Sequence, residues 1–169
     1  MNTPINNSQF PVHYSLLKNP NTRLAWEFIN ALAHSGLRHV VVSPGSRSTP
    51  LTLAFAAHPD VAVTLHRDER GAGFMALGMA LALDAPVALV CTSGTAVATY
   101  LPALVEANMS QVPLLVLTGD RPHELRHSGA NQTIDQVKLF GDQVLWSVDM
   151  PLPEANPPDV AQRNVMATA

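Results

Sequence analysis

Apolar residues along the chain follow two alternating patterns, and their alternation predicts the fold. Short uninterrupted apolar runs occur five times, at residues 39–43, 61–66, 86–92, 113–118 and, more weakly, 143–148. Runs of this length are typical of strands that are buried on both faces. Segments with helical spacing lie between or after them, at residues 21–34, 49–57, 68–83, 95–109 and 135–140. Strands that alternate with helices predict an α/β fold, with an open parallel sheet of five or six strands and helices on both faces.

The two ends of the chain depart from this alternation. Residues 1–20 are rich in Asn and Pro and have neither a basic start nor an apolar run, so we expect a flexible leader and no signal peptide. Residues 151–158 are rich in proline, which predicts a linker. Residues 159–169 have the pattern of a helix start without a terminating residue. The sequence therefore predicts one domain at 21–150, followed by a linker and the start of a truncated helix at 151–169.

Composition and charge narrow the possible functions. Hydrophobic residues make up 47% of the 169 residues and charged residues 14%, which excludes a disordered segment. A net charge of −3 offers no basic surface for nucleic acid. The single cysteine, Cys91, excludes an internal disulfide and a cysteine-based zinc site. With this cysteine usage we expect a cytoplasmic protein. No run approaches the roughly 20 apolar residues of a membrane span.

Polar residues collect at the ends of four predicted strands. The four segments are Ser-Pro-Gly-Ser-Arg at 43–47, His-Arg-Asp-Glu-Arg at 66–70, Cys-Thr-Ser-Gly-Thr at 91–95 and Thr-Gly-Asp-Arg-Pro at 118–122. In an open parallel sheet, the carboxyl ends of the strands share one edge, and ligands bind beyond that edge. The sequence therefore predicts a site at this edge without identifying its ligand.

Two of these segments allow more than one role. Gly45 lets the backbone turn sharply, and Ser46 and Arg47 could hold a carboxylate or a phosphate, although a turn with a solvated Arg fits equally well. Asp68 and Glu69 stand where a strand gives way to a helix, so both could serve only the helix terminus. A partly desolvated carboxyl group at that place would instead be suited to acid–base chemistry.

The helix predicted at 68–83 has an unusual composition. It contains three glycines, a stripe of small side chains at Ala72, Ala76 and Ala80, and apolar residues at nearly all other positions. A helix that is apolar all round is buried. We therefore expect this helix to be buried, and its small stripe to allow the close approach of another helix from another domain or subunit.

Common phosphate-binding and metal-binding patterns are weak in this chain. The glycines at 71–73 lack the third small residue of a dinucleotide loop and fall inside the helix. The Ser-Gly-Thr at 93–95 could be an anion-binding loop at a helix start or a capping turn, and no Gly-Lys-Ser/Thr follows it. His123 and His127 have helical spacing, but their surroundings are typical of a loop with surface histidines.

Five motifs follow one another in an order that resembles one enzyme family. They are Ser-Pro-Gly-Ser-Arg-Ser at 43–48, Asp-Glu-Arg-Gly-Ala-Gly-Phe at 68–74, Thr-Ser-Gly-Thr-Ala at 92–96, Asp-Arg-Pro at 120–122 and Gly-Ala-Asn-Gln at 129–132. Together they resemble the N-terminal pyrimidine-binding domain of the MenD family, the thiamine-diphosphate-dependent SEPHCHC synthases of menaquinone biosynthesis. The resemblance spans residues 21–148. Its Pro-Gly-Ser-Arg-Ser loop differs from acetolactate synthases and pyruvate decarboxylases, which share the general fold.

The resemblance implies a transferase that decarboxylates 2-oxoglutarate on thiamine diphosphate and adds the resulting four-carbon unit to isochorismate. Glu69 matches the family's catalytic glutamate, which hydrogen-bonds the aminopyrimidine ring and favours the tautomer whose nitrogen removes the C2 proton. The resemblance also places Pro44, Ser93 and Thr95 at the cofactor. The residues that match positions near the substrates are Ser46, Arg47, Arg121, Asn131 and Gln132. Arginine suits these substrates because both are dicarboxylates.

Family members also have a second α/β domain, which carries the diphosphate and Mg²⁺ ligands and contains a Gly-Asp-Gly start. Their active site forms between two subunits, so the resemblance implies a homo-oligomer. No Gly-Asp-Gly occurs in this chain, and we expect it to hold no metal ligand, only half an active site and no activity alone. Two other functions stay open: a stand-alone module that binds a small anion without turnover, and a structural domain with the Ala/Gly stripe as its contact face.

Overall fold

A computed structural model describes residues 18–169, and its elements follow the predicted alternation. The strands β1 to β4 are His39–Val42, Ala62–Leu65, Val87–Cys91 and Leu114–Thr118. The helices α1 to α6 are Pro20–His34, Thr49–Ala57, Glu69–Leu83, Thr95–Ala98, Leu101–Met109 and Asp159–Thr168. Three short 3₁₀ turns lie at Ser46–Ser48, His123–Leu125 and Gly141–Gln143. The predicted leader at 1–20 lies outside the described residues except for its last three positions.

The four strands form one parallel sheet in the order β2-β1-β3-β4. In the centre, Val40 of β1 lies opposite Val63 of β2 on one side and opposite Ala88 of β3 on the other. All five residues of β3 are buried, because a central strand with both faces covered meets no solvent. The predicted α/β fold with an open parallel sheet is confirmed, with four strands in place of the predicted five or six.

Helices cover both faces of the sheet, as predicted. α1 and α2 pack on the face that carries Val40 and Val42, whereas α3 and α5 pack on the face that carries Val41 and Leu89. Successive side chains of a strand point to opposite faces, so the residues of the central strands β1 and β3 alternate between the two cores. The uninterrupted apolar runs in the sequence therefore reflect a sheet that lies between two helical layers.

The predicted fifth strand at 143–148 is wrong. This segment pairs with no other strand in the described part of the chain. It follows Gly141, which has a left-handed backbone at φ +52°, and its side chains Leu145 and Trp146 are exposed. The apolar residues of this segment therefore lie outside the sheet. β4 is the edge strand on its side.

The predicted helix at 135–140 is also wrong, since these residues form extended and turn structure. Lys138 has a left-handed backbone at φ +58°, which an α-helix of L-residues does not accommodate. The apolar residues Leu139, Phe140 and Val144 pack against the core of the α3–α5 face. Their spacing comes from this packing and not from a helical repeat.

Two helix boundaries differ slightly from the sequence pattern. α1 begins at Pro20, one or two residues before the expected start, because the Asn19 side chain accepts a hydrogen bond from the Asn21 N–H at 2.9 Å and caps the helix. The single helix predicted at 95–109 is broken into α4 and α5. Pro102 lies in the first turn of α5, where its missing N–H costs no helical hydrogen bond.

The small stripe of α3 lies against its own sheet. Ala72, Ala76 and Ala80 are buried in one cluster with residues of β1 and β3, so the expected contact with a helix of another domain is wrong for this stripe. The other side of α3 exposes Phe74 and Leu81, and the helix is therefore buried on one side only. Within residues 18–169, no helix combines the length and apolarity that crossing a membrane requires.

The C-terminal segment folds back onto α1. Val165 of α6 is 2% exposed and belongs to the core cluster of α1 and α2. The Arg23 guanidinium donates hydrogen bonds to the carbonyl oxygens of Glu154 and Ala155, at 3.1 and 2.9 Å. The proline-rich segment is therefore held against the domain in this structure.

Candidate functional site

The loops that follow the four strands meet at one edge of the sheet, because all strands run in the same direction. Glycines let these loops approach closely. A Cβ on Gly45 would lie 2.5 Å from Cβ of Thr92, and a Cβ on Gly119 would lie 2.9 Å from the backbone carbonyl carbon of Arg47. The loop after β1 is thus pressed against the loops after β3 and β4, and the edge predicted from the sequence is one continuous surface.

A later segment, residues 131–136, lies over the turn that follows β3. The Ser93 hydroxyl donates to the Gln132 carbonyl oxygen at 3.0 Å, and the Gly94 N–H donates to Oε1 of Gln136 at 2.8 Å. Gly94 has φ +86°, and a Cβ there would lie 2.8 Å from the Gln132 carbonyl oxygen, so only glycine fits. These two donors are therefore already used and are not open to an anion, and no side chain caps the start of α4.

The two acidic residues at the start of α3 have different roles. Asp68 is the N-cap, and its carboxylate accepts hydrogen bonds from the Arg70 N–H at 3.0 Å and from the Arg70 guanidinium at 2.6 Å. The side-chain hydrogen bond from Arg70 lowers the pKa of Asp68 to about 2. Glu69 is the first residue of the helix and is half-buried. Within residues 18–169, its carboxylate has no hydrogen-bond or salt-bridge partner.

Below the first turns of α3 lies a small buried polar group. The Tyr100 hydroxyl donates to the Val90 carbonyl oxygen at 3.1 Å, and Tyr100 and Cys91 are fully buried. Burial raises the pKa of Cys91 to about 12 and that of Tyr100 above its usual range, and the negative charge of Glu69 acts in the same direction on both. Both groups are therefore uncharged at neutral pH and form an uncharged corner near Glu69.

The predicted substrate residues lie at the same edge but in different environments. Ser46, Arg47, Asn131 and Gln132 are exposed. Arg121 is half-buried, and its buried Nε has no hydrogen-bond partner among residues 18–169. Since Gly119 contacts the backbone of Arg47, the segments that carry the two arginines are adjacent. A buried guanidinium nitrogen without a partner is suited to a carboxylate or phosphate group that enters from outside.

The predicted cofactor residues are not equally available. Pro44 is exposed just after the end of β1, and Thr95 is exposed at the start of α4. Ser93 is fully buried, and its hydroxyl is engaged by the Gln132 carbonyl oxygen. Ser93 therefore supports the fold of the edge, and its side chain offers no free donor to a ligand in this arrangement.

Three structurally important residues of this edge carried no signal in the sequence. Gln136 bridges two strand-end loops through its side-chain amide. Arg126 pairs with Asp120 at 2.9 Å and with Asp149 at 3.0 Å, which ties the loop after β4 to a segment close to α6. Tyr100 supports α3 from below. Gln136 has partners 42 and 17 residues away and Arg126 has one 23 residues away, so the local sequence does not indicate these contacts.

Comparison with known families defines the class of this protein. Residues 23–139 match the family described as "Thiamine pyrophosphate enzyme, N-terminal TPP binding domain". The match covers more than half of the chain, and the chain belongs to this family. The α/β architecture and the site at the carboxyl edge agree with the fold expected from the sequence motifs.

Individual relatives narrow the class further. The 2-succinyl-5-enolpyruvyl-6-hydroxy-3-cyclohexene-1-carboxylate synthase of Roseiflexus castenholzii is 60% identical over 90% of this chain and 26% of its own length. The synthase of the same name from Haloarcula marismortui is 60% identical over 82% of this chain and 24% of its own length. The resemblance to SEPHCHC synthases is confirmed. The chain spans about a quarter of the length of these relatives.

The residues present fit one end of thiamine pyrophosphate. The half-buried Glu69 carboxylate, which has no partner among the described residues, is suited to the nitrogen-rich aminopyrimidine ring, which offers hydrogen-bonding groups to an acceptor. The other end of the cofactor needs a cation for its diphosphate. Among residues 18–169, no three His, Cys, Asp or Glu side chains come together as a group that could hold a metal ion. This fit rests on Glu69 and concerns the pyrimidine end.

Proposed function

We propose that residues 21–150 are the pyrimidine-binding domain of a SEPHCHC synthase. The observation that carries the proposal is the Glu69 carboxylate, which is half-buried at the head of α3 and has no partner among residues 18–169. A carboxylate at a ligand-binding edge that the described residues leave unpaired can accept a hydrogen bond from a ligand. The proposed full-length protein decarboxylates 2-oxoglutarate and adds the product to isochorismate.

In this proposal, thiamine diphosphate supplies an electron sink for the decarboxylation. Glu69 binds the ring nitrogen of the aminopyrimidine and shares a proton with it at a carboxylate oxygen. The uncharged corner of Tyr100 and Cys91 excludes water from the inner side of this contact. Pro44 and Thr95 supply the wall of the pyrimidine site, while Ser93 shapes it through the backbone.

In this proposal the substrates bind at the part of the edge that carries Arg47 and Arg121, which we call the arginine side. The proposed set is Ser46, Arg47, Arg121, Asn131 and Gln132. Arg121 offers a buried Nε without a partner, and Arg47 lies on the adjacent loop. A guanidinium binds a carboxylate through two parallel hydrogen bonds, and two arginines fit the two carboxylates of a dicarboxylate substrate.

We propose that Mg²⁺ and the diphosphate are bound by residues outside this chain. The relatives are about four times as long as the chain, which leaves ample length for a second domain. In this proposal the enzyme is a cytoplasmic homo-oligomeric transferase, and two of its domains together form each active site.

The proposed function predicts a difference between this chain and a longer protein that carries it. With thiamine diphosphate, Mg²⁺, 2-oxoglutarate and isochorismate, we expect no carbon dioxide release and no product from the 169-residue chain. We expect both from the longer protein. Carbon dioxide release by the purified chain at rates like those of a complete enzyme contradicts the proposal of half an active site, and an inactive longer protein contradicts the assigned reaction.

A second candidate is a module that binds a small anion without turnover. The Arg121 Nε, which has no partner in the described part of the chain, favours it, because this group suits an anion whether or not a reaction follows. Calorimetry of the chain separates the two functions. Binding of 2-oxoglutarate without any contribution from thiamine diphosphate, in the chain and in the longer protein, supports the module and contradicts the synthase.

A further inference from the structure

We propose that Gln136 is a positioning residue that fixes the substrate side of the edge. The inference rests on the proposed function. Its side-chain amide uses both ends: Oε1 accepts from the Gly94 N–H at 2.8 Å, and Nε2 donates to the Gly119 carbonyl oxygen at 3.0 Å. Nε2 also lies 3.4 Å from Oγ1 of Thr118. One side chain thereby joins the turn after β3 to the end of β4.

The orientation of this amide is fixed by its partners. A backbone N–H can only donate and a backbone carbonyl can only accept, so the oxygen of Gln136 faces Gly94 and the nitrogen faces Gly119. Other side chains do not reproduce this pair of bonds at the same length. Glutamate ionised at neutral pH lacks the donor, and methionine lacks both polar groups.

The bridge determines where the exposed amides of Asn131 and Gln132 lie. Segment 131–136 is attached to the turn after β3 at two points, the hydrogen bond from Ser93 to the Gln132 carbonyl and the one from Gly94 to Gln136. Gln132 has a left-handed backbone at φ +55°, a conformation that persists only when its surroundings hold it. Removing the bridge releases one of the two attachments.

The other end of the bridge leads to the arginine side. Gly119 accepts from Gln136 and precedes Arg121 by two residues. The backbone of Gly119 also contacts Arg47. Gln136 therefore sets the distance between the amides of segment 131–132 and both arginines, which is the distance that a dicarboxylate substrate has to match.

The test compares Gln136→Met and Gln136→Glu with Gln162→Met, a control in α6 away from the edge. In the longer protein with saturating thiamine diphosphate, we expect KM for 2-oxoglutarate to rise about tenfold in Gln136→Met, roughly the effect of one lost hydrogen bond, with kcat little changed. Gln136→Glu should show the same rise at neutral pH. The rise should shrink as the pH falls, because a protonated carboxyl regains a donor. Gln162→Met should behave as the unmodified enzyme.

A second measurement tests the hydrogen bond between Gln136 and Gly94 without an activity assay. In the 169-residue chain, hydrogen exchange at the Gly94 amide should be faster in Gln136→Met than in Gln162→Met. An unchanged KM in Gln136→Met, or equal losses of kcat and melting temperature in both methionine variants, overturns the positioning role. If the unmodified longer protein is inactive while Gly94 exchange still accelerates, the bridge stands and the proposed function fails. If exchange is unchanged, the bridge itself is contradicted.

Discussion

At the scale of single residues, Asp68 and Glu69 show how neighbouring carboxyl groups acquire different tasks. Asp68 satisfies the backbone at the head of α3 and pairs with Arg70. The helix start is therefore complete without Glu69, whose carboxylate lacks a hydrogen-bond or salt-bridge partner within residues 18–169. The sequence alone left both residues open to a purely structural role. The structure assigns that role to Asp68.

Single residues also mark the limit of prediction from sequence. The cap at Asp68 could be predicted because its partner lies two residues away. The bridge of Gln136 could not, since its partners are backbone groups 42 and 17 residues away. Nothing in the identity of Gly94 or Gly119 indicates which side chain meets their amide and carbonyl. Contacts of this kind depend on how the loops are placed by the complete fold.

His58 gives a prediction about pH. It is buried between α1 and α2, with the Trp26 ring at 5.6 Å between centroids, Oδ1 of Asn30 at 3.4 Å from Nε2, and the Asp60 N–H donating to Nδ1. Burial lowers its pKa below 6.5, and Asp60 opposes this shift. Between the lowered value and 6.5 the unfolded state binds more protons, so the free energy of unfolding falls as the pH is lowered through this window.

We therefore expect His58→Gln to flatten the pH dependence of unfolding below pH 6.5. One proton accounts for at most about 1.4 kcal/mol per pH unit. The measurement is urea unfolding of the chain at several pH values. A His58→Gln variant with the same slope as the unmodified chain contradicts the assignment of this slope to His58.

At the scale of elements, the central sheet was the most predictable part. β1 and β3 lie between two helical layers, and a strand with both faces buried must be apolar at every position. Segment 143–148 has similar composition but lies outside the sheet, with Leu145 and Trp146 exposed. The composition of a segment shows that it is apolar. Composition does not show whether the segment pairs with the strands of the sheet.

α3 gives a matched pair of substitutions within one helix. A Cβ on Gly73 would lie 2.9 Å from Cβ of Ala103 in α5, whereas a Cβ on Gly78 would meet no atom within 4 Å. Gly78→Ala should stabilise the chain by about 0.5–1 kcal/mol, because alanine favours the helix. Gly73→Ala should destabilise it by about 1–2 kcal/mol, because crowding at α5 outweighs that gain.

Urea unfolding of both glycine variants measures these changes directly. The critical feature is that the two changes in the free energy of unfolding have opposite signs, because the gain in helix propensity is the same at both positions. Stabilisation of the chain by both substitutions would show that α5 moves away from α3 at little cost, and would contradict the tight contact at Gly73.

At the scale of the whole molecule, α3 and α5 both expose apolar side chains. We call the exposed side chains Phe74, Leu81, Leu101, Val105 and Met109 the α3–α5 surface. Phe74 is 52% exposed and Met109 77%. The two helices contact each other on one face of the sheet, and apolar patches of several hundred Å² mark interaction sites.

We predict that the chain self-associates through the α3–α5 surface. Sedimentation should show a molecular mass that rises with protein concentration, and Phe74→Glu with Leu81→Glu should shift the chain towards the monomer. The matched control Leu145→Glu changes an exposed leucine outside this surface and should leave association unchanged. A clean monomer at about 100 µM that binds no hydrophobic dye contradicts the prediction.

The central claim is that Glu69 serves the cofactor and not the helix. The most direct measurement is hydrogen exchange at C2 of bound thiamine diphosphate in the longer protein, for Glu69→Gln beside the control Glu27→Gln in α1. Because Gln keeps the volume but cannot share the proton, we predict a loss of about 10²–10⁴-fold in the exchange rate, with an unchanged melting temperature. If Glu69 acts only on the helix terminus, its loss should cost about 0.3–1 kcal/mol of stability. Unchanged exchange with a lowered melting temperature in Glu69→Gln would contradict the account.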